Sequence, residues 1–400
     1  MKSGSPDHSR QSAVTIPYAR QEITEADIAA VVNALRAPLL TQGPLAEQFE
    51  TEFARAVGAR FAVAFNSGTA ALHGAYAVAG VSGGRGVLTS PITFAATANA
   101  ALYLGAPVHF SDIDPATALL DPKPLASVSR TDIRVVTPVH FGGQVADMPA
   151  ISRIAAERGW LVVEDAAHAL GARYRTPDGV LHTVGACVHS SLCCFSLHPV
   201  KHITTGEGGV VTTNDAGLAA LLRRFRTHGI TRDRVAMRND DGPWYYEQLE
   251  LGFNYRLTDF QCALGSSQLE RLPENIARRR AIAQRYDGAF TGVPEVRPLV
   301  VPDWSVGSYH LYVVRVPSET RRALYEAFRV QKIESNVHYL PVYRHPFYQR
   351  LGFAELRLRG AEDYYASALS LPMFATLTDA DTSRVIDSAA EFFARLGMAA

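Results

Sequence analysis

The chain has 400 residues, too many for one hydrophobic core, so we expect more than one domain. Its apolar fraction of 47% and charged fraction of 20% are typical of a globular protein and exclude a disordered or fibrous chain. The 39 Lys and Arg residues balance the 39 Asp and Glu residues, so no overall charge points to nucleic acid or to an anionic membrane as a partner.

The N-terminus and the cysteines indicate the cellular compartment of the protein. Residues 1–15 are mostly polar and contain no apolar signal segment, so we expect a disordered lead-in there. No apolar run reaches the roughly 18 residues that span a bilayer. The four cysteines form no CxxC pair and are too sparse for a disulfide framework. We therefore expect a cytoplasmic protein with reduced thiols and no membrane partner.

Helix and strand signals alternate through the first part of the chain. Thr24 and Asp27 form a capping box at the start of a helix, and Gly58 marks the end of a second one. Further strands are predicted at 61–65, 86–89, 108–113, 133–139 and 160–163, and further helices from 70 to about 80, at 93–104 and at 151–158. This order predicts βαβ units and therefore a mostly parallel sheet covered by helices on both faces.

The pattern changes in the second half of the chain. Residues 191–213 predict short strands around a polar loop, and the long helical region 258–290 is interrupted at Pro273. A strand at 311–316, a helix at 319–330, a strand at 334–337 and a helix at 380–396 follow. We therefore expect an α/β protein with a large domain at 16–270 and a smaller α+β domain at 271–400.

The turn between the strand at 61–65 and the next helix is a candidate anion site. In Asn66-Ser67-Gly68-Thr69, the unpaired N–H groups and the dipole of the helix favour a phosphate. Gly68 would let a ligand approach the backbone, and Ser67 and Thr69 could add hydroxyl donors. An ordinary strand-to-helix turn with a Ser or Thr cap would explain the same residues.

A second candidate lies where the strand at 160–163 ends. Ligands of α/β sheets gather beyond the carboxyl ends of the strands. Asp165 could keep a ring nitrogen protonated there, and His168 could add a polar contact. The alternative is that Asp165 only caps the next helix and that His168 is a structural histidine.

The polar loop after residue 195 contains the third candidate, Lys201. A lysine that forms a Schiff base needs a lowered pKa, which burial and neighbouring cations provide. Ser196 and the glycines at 206, 208 and 209 flank this lysine, although a surface-loop lysine would share the same context. The histidines and cysteines nearby do not have zinc-ligand spacing, so we expect no metal.

Together, these segments resemble the DegT/DnrJ/EryC1/StrS family of sugar aminotransferases. The resemblance extends from Ile16 to the end of the chain, and its markers occur in the family's order: Thr41–Gly43, Asn66–Ala71, Glu164–His168, Ser196–Lys201, Gly206–Gly209 and Gly252–Arg256. It implies a fold-type I enzyme with a three-layer large domain. It also implies pyridoxal 5′-phosphate as the cofactor, which becomes pyridoxamine 5′-phosphate during turnover.

The resemblance implies a role for each matching position. Lys201 would be the Schiff-base lysine and would act with Asp165 and His168 in catalysis, with Asp165 on the cofactor's ring nitrogen. The cofactor would be held by Ser67, Gly68, Thr69, Phe94, Asp165, His168, Ser196, Lys201 and Asn254. The sugar would be contacted by Tyr18, Leu39, Leu40, Thr41, Gly68, Ser196, Asn254, His338 and Tyr339. Asn254 would reach across from a partner subunit, which implies a homodimer with shared active sites.

Four segments narrow the resemblance to the branch of the family that works in pseudaminic acid biosynthesis. They are Pro17-Tyr18 and the segments 93–99, 337–343 and 361–365. This branch would aminate the C4 ketone of a UDP-linked 2-acetamido-2,6-dideoxy-hexos-4-ulose with L-glutamate as donor. Enzymes for other dTDP-, GDP- or UDP-linked 3- or 4-keto-sugars share most of the markers and are the alternative. The intact Lys201, Asp165 and Ser196 argue against a catalytically silent relative.

Overall fold

The computed structural model describes residues 14–398, so the lead-in predicted at 1–15 lies outside the described residues except for its last two. The helices are α1 (Glu25–Leu35), α2 (Pro44–Val57), α3 (Gly68–Val78), α4 (Ala96–Leu102), α5 (Pro122–Ala126), α6 (Met148–Arg158), α7 (Ala216–Phe225), α8 (Asp259–Glu270), α9 (Leu272–Phe290), α10 (Arg321–Val330), α11 (Pro346–Tyr348), α12 (Arg359–Ser367) and α13 (Asp379–Met398). None of the helices in this part of the chain is long and apolar enough to cross a membrane.

The strands are mostly short. They are β1 (Phe61–Phe65), β2 (Gly86–Thr89), β3 (Val108–Phe110), β4 (Ile113–Asp114), β5 (Leu119–Leu120), β6 (Ile133–Thr137), β7 (Leu161–Asp165), β8 (Arg173–Arg175), β9 (Leu181–Thr183), β10 (Leu192–Ser196), β11 (Gly209–Thr213), β12 (Ile230–Thr231), β13 (Glu247–Gln248), β14 (Arg297–Pro298), β15 (Ser305–Val306), β16 (Tyr312–Arg315) and β17 (Ala368–Leu371).

A seven-stranded sheet in the order β1-β11-β10-β7-β6-β2-β3 forms the centre of the molecule. The pairs from β10 to β3 are parallel, and β11 is antiparallel to both β10 and β1. All strands of this sheet except β11 therefore run in one direction, and their carboxyl ends lie along one edge. The predicted class, a mostly parallel α/β sheet, is confirmed.

Helices cover both faces of this sheet. Side chains of α2, α6 and α8 form the core on one face, and those of α3, α4 and α7 form the core on the other. Successive strand residues point to opposite faces, so Val162 belongs to the first core and Val163 to the second. The same alternation places the side chains of Glu164 and Asp165 on opposite faces of β7, with that of Asp165 on the side of α3 and α4.

The C-terminal part of the chain builds a smaller α+β unit. An antiparallel sheet in the order β14-β16-β17 packs with α9, α10 and α13 around a core of its own. Helix α9 begins at Leu272 with Pro273 in its first turn, where a missing N–H costs nothing. Ile16 also lies in this core, because its backbone pairs with Ile333. The domain bounds 16–270 and 271–400 stay predictions.

Two strand predictions were wrong. The strand predicted at 108–113 ends at Phe110, and Ile113–Asp114 pairs with β5 instead. The segment 334–337 forms a single isolated bridge, between Asn336 and Ser370. The Asn336 side chain accepts the N–H of Val337 at 2.8 Å, and such a local bond competes with a strand ladder.

Candidate active site

A cavity of about 730 Å³ opens at the edge where the parallel strands end. Its walls come from the ends of β1, β7 and β10, from the segment before α4 and from residues 336–340. It brings together these residues named from the sequence: Tyr18, Ser67, Gly68, Thr69, Phe94, Asp165, His168, Ser196, Lys201, His338 and Tyr339. Distant parts of the chain therefore converge on one site.

The turn from β1 into α3 forms a close-packed cradle at one end of the cavity. Ser67 caps α3, because its Oγ accepts the N–H of Ala70 at 3.0 Å. A Cβ placed on Gly68 would lie 2.9 Å from the Cβ of Ser196, and one on Gly209 would lie 2.5 Å from the backbone O of Ser67. Glycine is needed at both positions to bring the start of α3 against the end of β10 and the start of β11. A phosphate fits this helix N-terminus, where Gly68 and Thr69 line the cavity.

Asp165 is held by two donors at the end of β7. Its Oδ2 accepts a hydrogen bond from Thr97 Oγ1 at 2.6 Å, and its Oδ1 accepts one from the N–H of Ala167 at 3.1 Å. The hydroxyl of Thr93 lies 2.7 Å from that of Thr97 and can donate to it in turn. This chain fixes the orientation of a buried carboxylate that lines the cavity. The chain runs from β7 to β8 without a helix between them, so the alternative that Asp165 only caps the next helix is wrong.

Lys201 lies in the loop between β10 and β11 and is not a surface lysine. The Thr204 hydroxyl donates to the backbone O of Leu197 at 3.0 Å, which ties the two sides of this loop together. Burial lowers the pKa of Lys201 from 10.5 to about 8, and the negative charge of Asp165 opposes that change. Its Nζ lies 3.4 Å from Nε2 of His310. The amine is therefore partly neutral near pH 8, as a nucleophile requires.

Two histidines beside the lysine are neutral at pH 7. Burial, and then the positive charge of Lys201, lower the pKa of His168 well below its ordinary value. The same causes lower the pKa of His338 to about 4. His168 Nδ1 accepts the N–H of Gly142 at 3.3 Å, so its proton lies on Nε2, 3.2 Å from the hydroxyl of Tyr339. His168 therefore faces the cavity as a neutral ring in one tautomer.

Four of the residues named from the sequence do not line the cavity of this chain. Leu39, Leu40 and Thr41 are exposed in the turn before α2. Asp259 Oδ1 accepts the N–H of Gly43 at 3.0 Å, which ties that turn to the start of α8. Asn254 is also exposed. Contacts from these four residues to a ligand stay predictions.

Sequence reasoning missed two residues of the site, Thr97 and His310. Thr97 could have been found, because it lies within the segment 93–99 and one helical turn after Thr93. His310 gave no local signal, since it lies 109 residues from Lys201 and immediately before an apolar strand. Only the packing of the C-terminal unit against the large sheet brings it to the lysine.

Comparisons with known proteins agree over almost the whole chain. Residues 21–390 match the model of the DegT/DnrJ/EryC1/StrS aminotransferase family. The spore coat polysaccharide biosynthesis protein SpsC of Bacillus subtilis is 38% identical over 379 residues, 93% of this chain and 96% of that protein. The UDP-4-amino-4,6-dideoxy-N-acetyl-β-L-altrosamine transaminase of Campylobacter jejuni is 37% identical over 379 residues, with the same shares.

A solved structure is also similar over almost the whole chain. Helicobacter pylori PseC, an aminotransferase involved in the biosynthesis of pseudaminic acid, superimposes with a TM-score of 0.87 at 29% identity. The match covers 95% of this chain and all of that one. The architecture described above is therefore that of a sugar aminotransferase.

Proposed function

The chain belongs to the DegT/DnrJ/EryC1/StrS aminotransferase family, and from this premise we propose that it makes UDP-4-amino-4,6-dideoxy-N-acetyl-β-L-altrosamine. Sugar aminotransferases of this family use pyridoxal 5′-phosphate, so the chain is a pyridoxal-phosphate-dependent transferase. The proposed reaction moves the amino group of L-glutamate to the C4 ketone of a UDP-linked 2-acetamido-2,6-dideoxy-hexos-4-ulose.

The proposal rests on the positions of the four segments that resemble the pseudaminic acid branch of the family. Tyr18 and the segments that begin at Thr93 and Val337 line the cavity beside Lys201. The fourth segment braces the third, because the hydroxyl of Tyr364 donates to the backbone O of His338 at 2.6 Å. The similarity to the Campylobacter transaminase and to PseC supports the same substrate.

The residues of the cavity fit the cofactor. The cradle of Gly68, Thr69 and Ser196 would hold its phosphate, and Asp165 would hold its ring nitrogen in the protonated form. Phe94 is 63% exposed in the cavity wall, which leaves its ring free to stack on an aromatic ligand. When bound, the cofactor supplies an electron sink for the carbon from which a proton is removed.

Lys201 is the residue that would move this proton. With a pKa of about 8, about one amine in ten is neutral at pH 7, whereas an ordinary lysine would be neutral in fewer than one in a thousand molecules. In each half-reaction the amine would therefore accept the proton from one carbon and return it to another. His168 and Tyr339 bound the same space with neutral side chains, because burial raises the pKa of the Tyr339 hydroxyl.

A homodimer is part of the proposal. The family's Asn254 role requires a second subunit, and an exposed Asn254 outside the cavity of its own chain agrees with such a role. The cytoplasmic location stays a prediction from the N-terminus and the cysteines.

A panel of keto-sugars with L-glutamate tests the substrate. We expect kcat/KM for the UDP-linked 2-acetamido-4-keto sugar to exceed that for dTDP- and GDP-linked 4-keto-6-deoxy sugars by about 100-fold, since unpaired polar groups in a specific site penalise the wrong ligand. SpsC is as similar to this chain as the altrosamine transaminase is, so the second candidate is amination of another nucleotide-linked keto-sugar. A higher kcat/KM for any of those sugars would establish the second candidate.

The variant Gly68→Ala tests the phosphate cradle. The added methyl group would lie 2.9 Å from the Cβ of Ser196, and neither β10 nor α3 can move without disturbing the sheet. We expect the dissociation constant for pyridoxal phosphate to rise by about 10- to 100-fold, measured by fluorescence titration of the cofactor-free protein. Gly84→Ala is the matched control, because a Cβ there meets nothing within 4 Å. Equal dissociation constants for pyridoxal phosphate in the two variants would mean that the phosphate does not bind at this turn.

A further inference from the structure

His310 contacts Lys201 but belongs to none of the motifs named from the sequence. It lies two residues before the start of β16, and its Nε2 is 3.4 Å from Nζ of Lys201. Its ring is almost fully buried, and its Nδ1 has no hydrogen-bond partner among the described residues. The lysine is therefore the hydrogen-bonding neighbour of this ring within residues 14–398.

The backbone around His310 is held in place by a buried arginine. Nη1 of Arg279, on α9, donates to the backbone O of Tyr309 at 3.1 Å, of His310 at 3.4 Å and of Met373 at 3.2 Å. Tyr309 has a φ of 52°, in the left-handed region that non-glycine residues rarely adopt. A Cβ on Gly143 would lie 2.8 Å from the N of Tyr309, so this glycine leaves room for the turn. The C-terminal unit thus fixes the ring against the lysine.

We propose that His310 is a positioning residue whose Nε2 accepts a hydrogen bond from the Lys201 ammonium and holds the amine at the floor of the cavity. The inference rests on the proposed role of Lys201 as the reactive amine. A neutral imidazole with its proton on Nδ1 has a lone pair on Nε2 for this bond. His310 is neutral because burial, and then the positive charge of Lys201, lower its pKa well below the ordinary value.

The titration of Lys201 can be followed without interference from its neighbours. The other titratable or charged groups that face the pair are Asp165, His168, His202, His338, Tyr339 and Arg279. The three histidines have lowered pKa values and stay neutral above pH 7. Burial lowers the pKa of Arg279 to about 10, so it stays charged from pH 7 to 9, where Lys201 titrates.

The experiment measures the pKa of Lys201 in the full-length, cofactor-free protein. The chain has only four lysines, so the rate at which acetic anhydride labels each one between pH 6 and 11 can be followed by mass spectrometry. The exposed Lys123 and Lys332 serve as internal references. We expect a pKa of about 8 for Lys201 in the unsubstituted protein.

The variant His310→Leu should lower the pKa of Lys201 by about one pH unit, because an acceptor that favours the charged form is lost. With cofactor restored, its kcat should fall by about tenfold while KM for the sugar is unchanged. His310→Gln keeps an acceptor of similar reach, so it should restore both the pKa and, to within about threefold, kcat. This second variant also tests the proposal if the leucine variant does not fold.

His202→Gln is the matched control, since this buried ring donates to the backbone O of Ser308 at 3.1 Å and not to the lysine. It should leave the pKa of Lys201 unchanged. An unchanged or raised pKa in His310→Leu, or no restoration in His310→Gln, would overturn the proposal. These labelling results need no substrate, so they are distinct from a failure of the proposed sugar specificity.

Discussion

Replacing Lys201 with methionine should lower the rate of transamination by more than about 10⁴-fold. The substitution removes the amine that is proposed both to bind the cofactor covalently and to move the substrate proton, and each of these losses alone is worth orders of magnitude. Methionine has a similar length, so the packing of the loop between β10 and β11 is retained. The measurement is product formation from L-glutamate and a keto-sugar, together with loss of the cofactor's protein-linked absorbance band.

The same variant should be more heat-stable than the unsubstituted protein at pH 7 when both lack cofactor. The folded pKa of Lys201, about 8, lies below the unfolded value of 10.5, so below pH 8 folding must bury a charge. Between pH 8 and 10.5 the unfolded chain binds more protons than the folded protein does. The free-energy cost of burying this charge therefore disappears as the pH rises through that range. Calorimetry should show the stability gain of the methionine variant at pH 7 and a smaller gain at pH 10.

Lys123→Met is the matched control for activity. Lys123 is exposed on α5 and does not line the cavity, so its loss should leave the rate within about twofold. If the Lys201→Met enzyme kept more than about one per cent of the original rate, Lys201 would not take part in the chemistry.

The sequence predicts the parts of the site that a strand end places. Gly68 and Lys201 follow buried strands of the central sheet, Asp165 is the last residue of another, and parallel strands end at one edge. The three residues line one cavity because the order of the strands places these strand ends side by side. The fold class follows from the same alternation of short apolar runs and helices.

Other parts of the site depend on packing between distant segments and have no local signal. His310 reaches the lysine, and Arg279 reaches the backbone O of His310, through the docking of the C-terminal unit, which no periodicity describes. The wrong strand prediction at 334–337 has a local cause instead. The Asn336 side chain accepts the N–H of Val337, so no strand ladder forms in the segment before His338 and Tyr339, which line the cavity.

Replacing Asp165 with asparagine should lower kcat by about 10³-fold. Asparagine has the same shape, and the Thr97 hydroxyl can accept from the new amide, so the fold is retained. The negative charge is lost, and with it the group proposed to keep the cofactor's ring nitrogen protonated. Because Asp165 raises the pKa of Lys201, the labelling experiment should also give a lysine pKa below about 8 in this variant.

Glu164→Gln is the control that makes this prediction specific. Glu164 is the preceding residue of β7 and points to the other face, where it accepts from His140 Nε2 at 2.7 Å and from the Ser190 hydroxyl. It does not line the cavity, so its neutralisation should reduce the free energy of unfolding by about 1–3 kcal/mol but leave kcat within about threefold. The two substitutions on β7 would then differ in effect, because Asp165→Asn lowers kcat and Glu164→Gln lowers stability. If Asp165→Asn retains more than a tenth of kcat, the ring nitrogen does not depend on this charge.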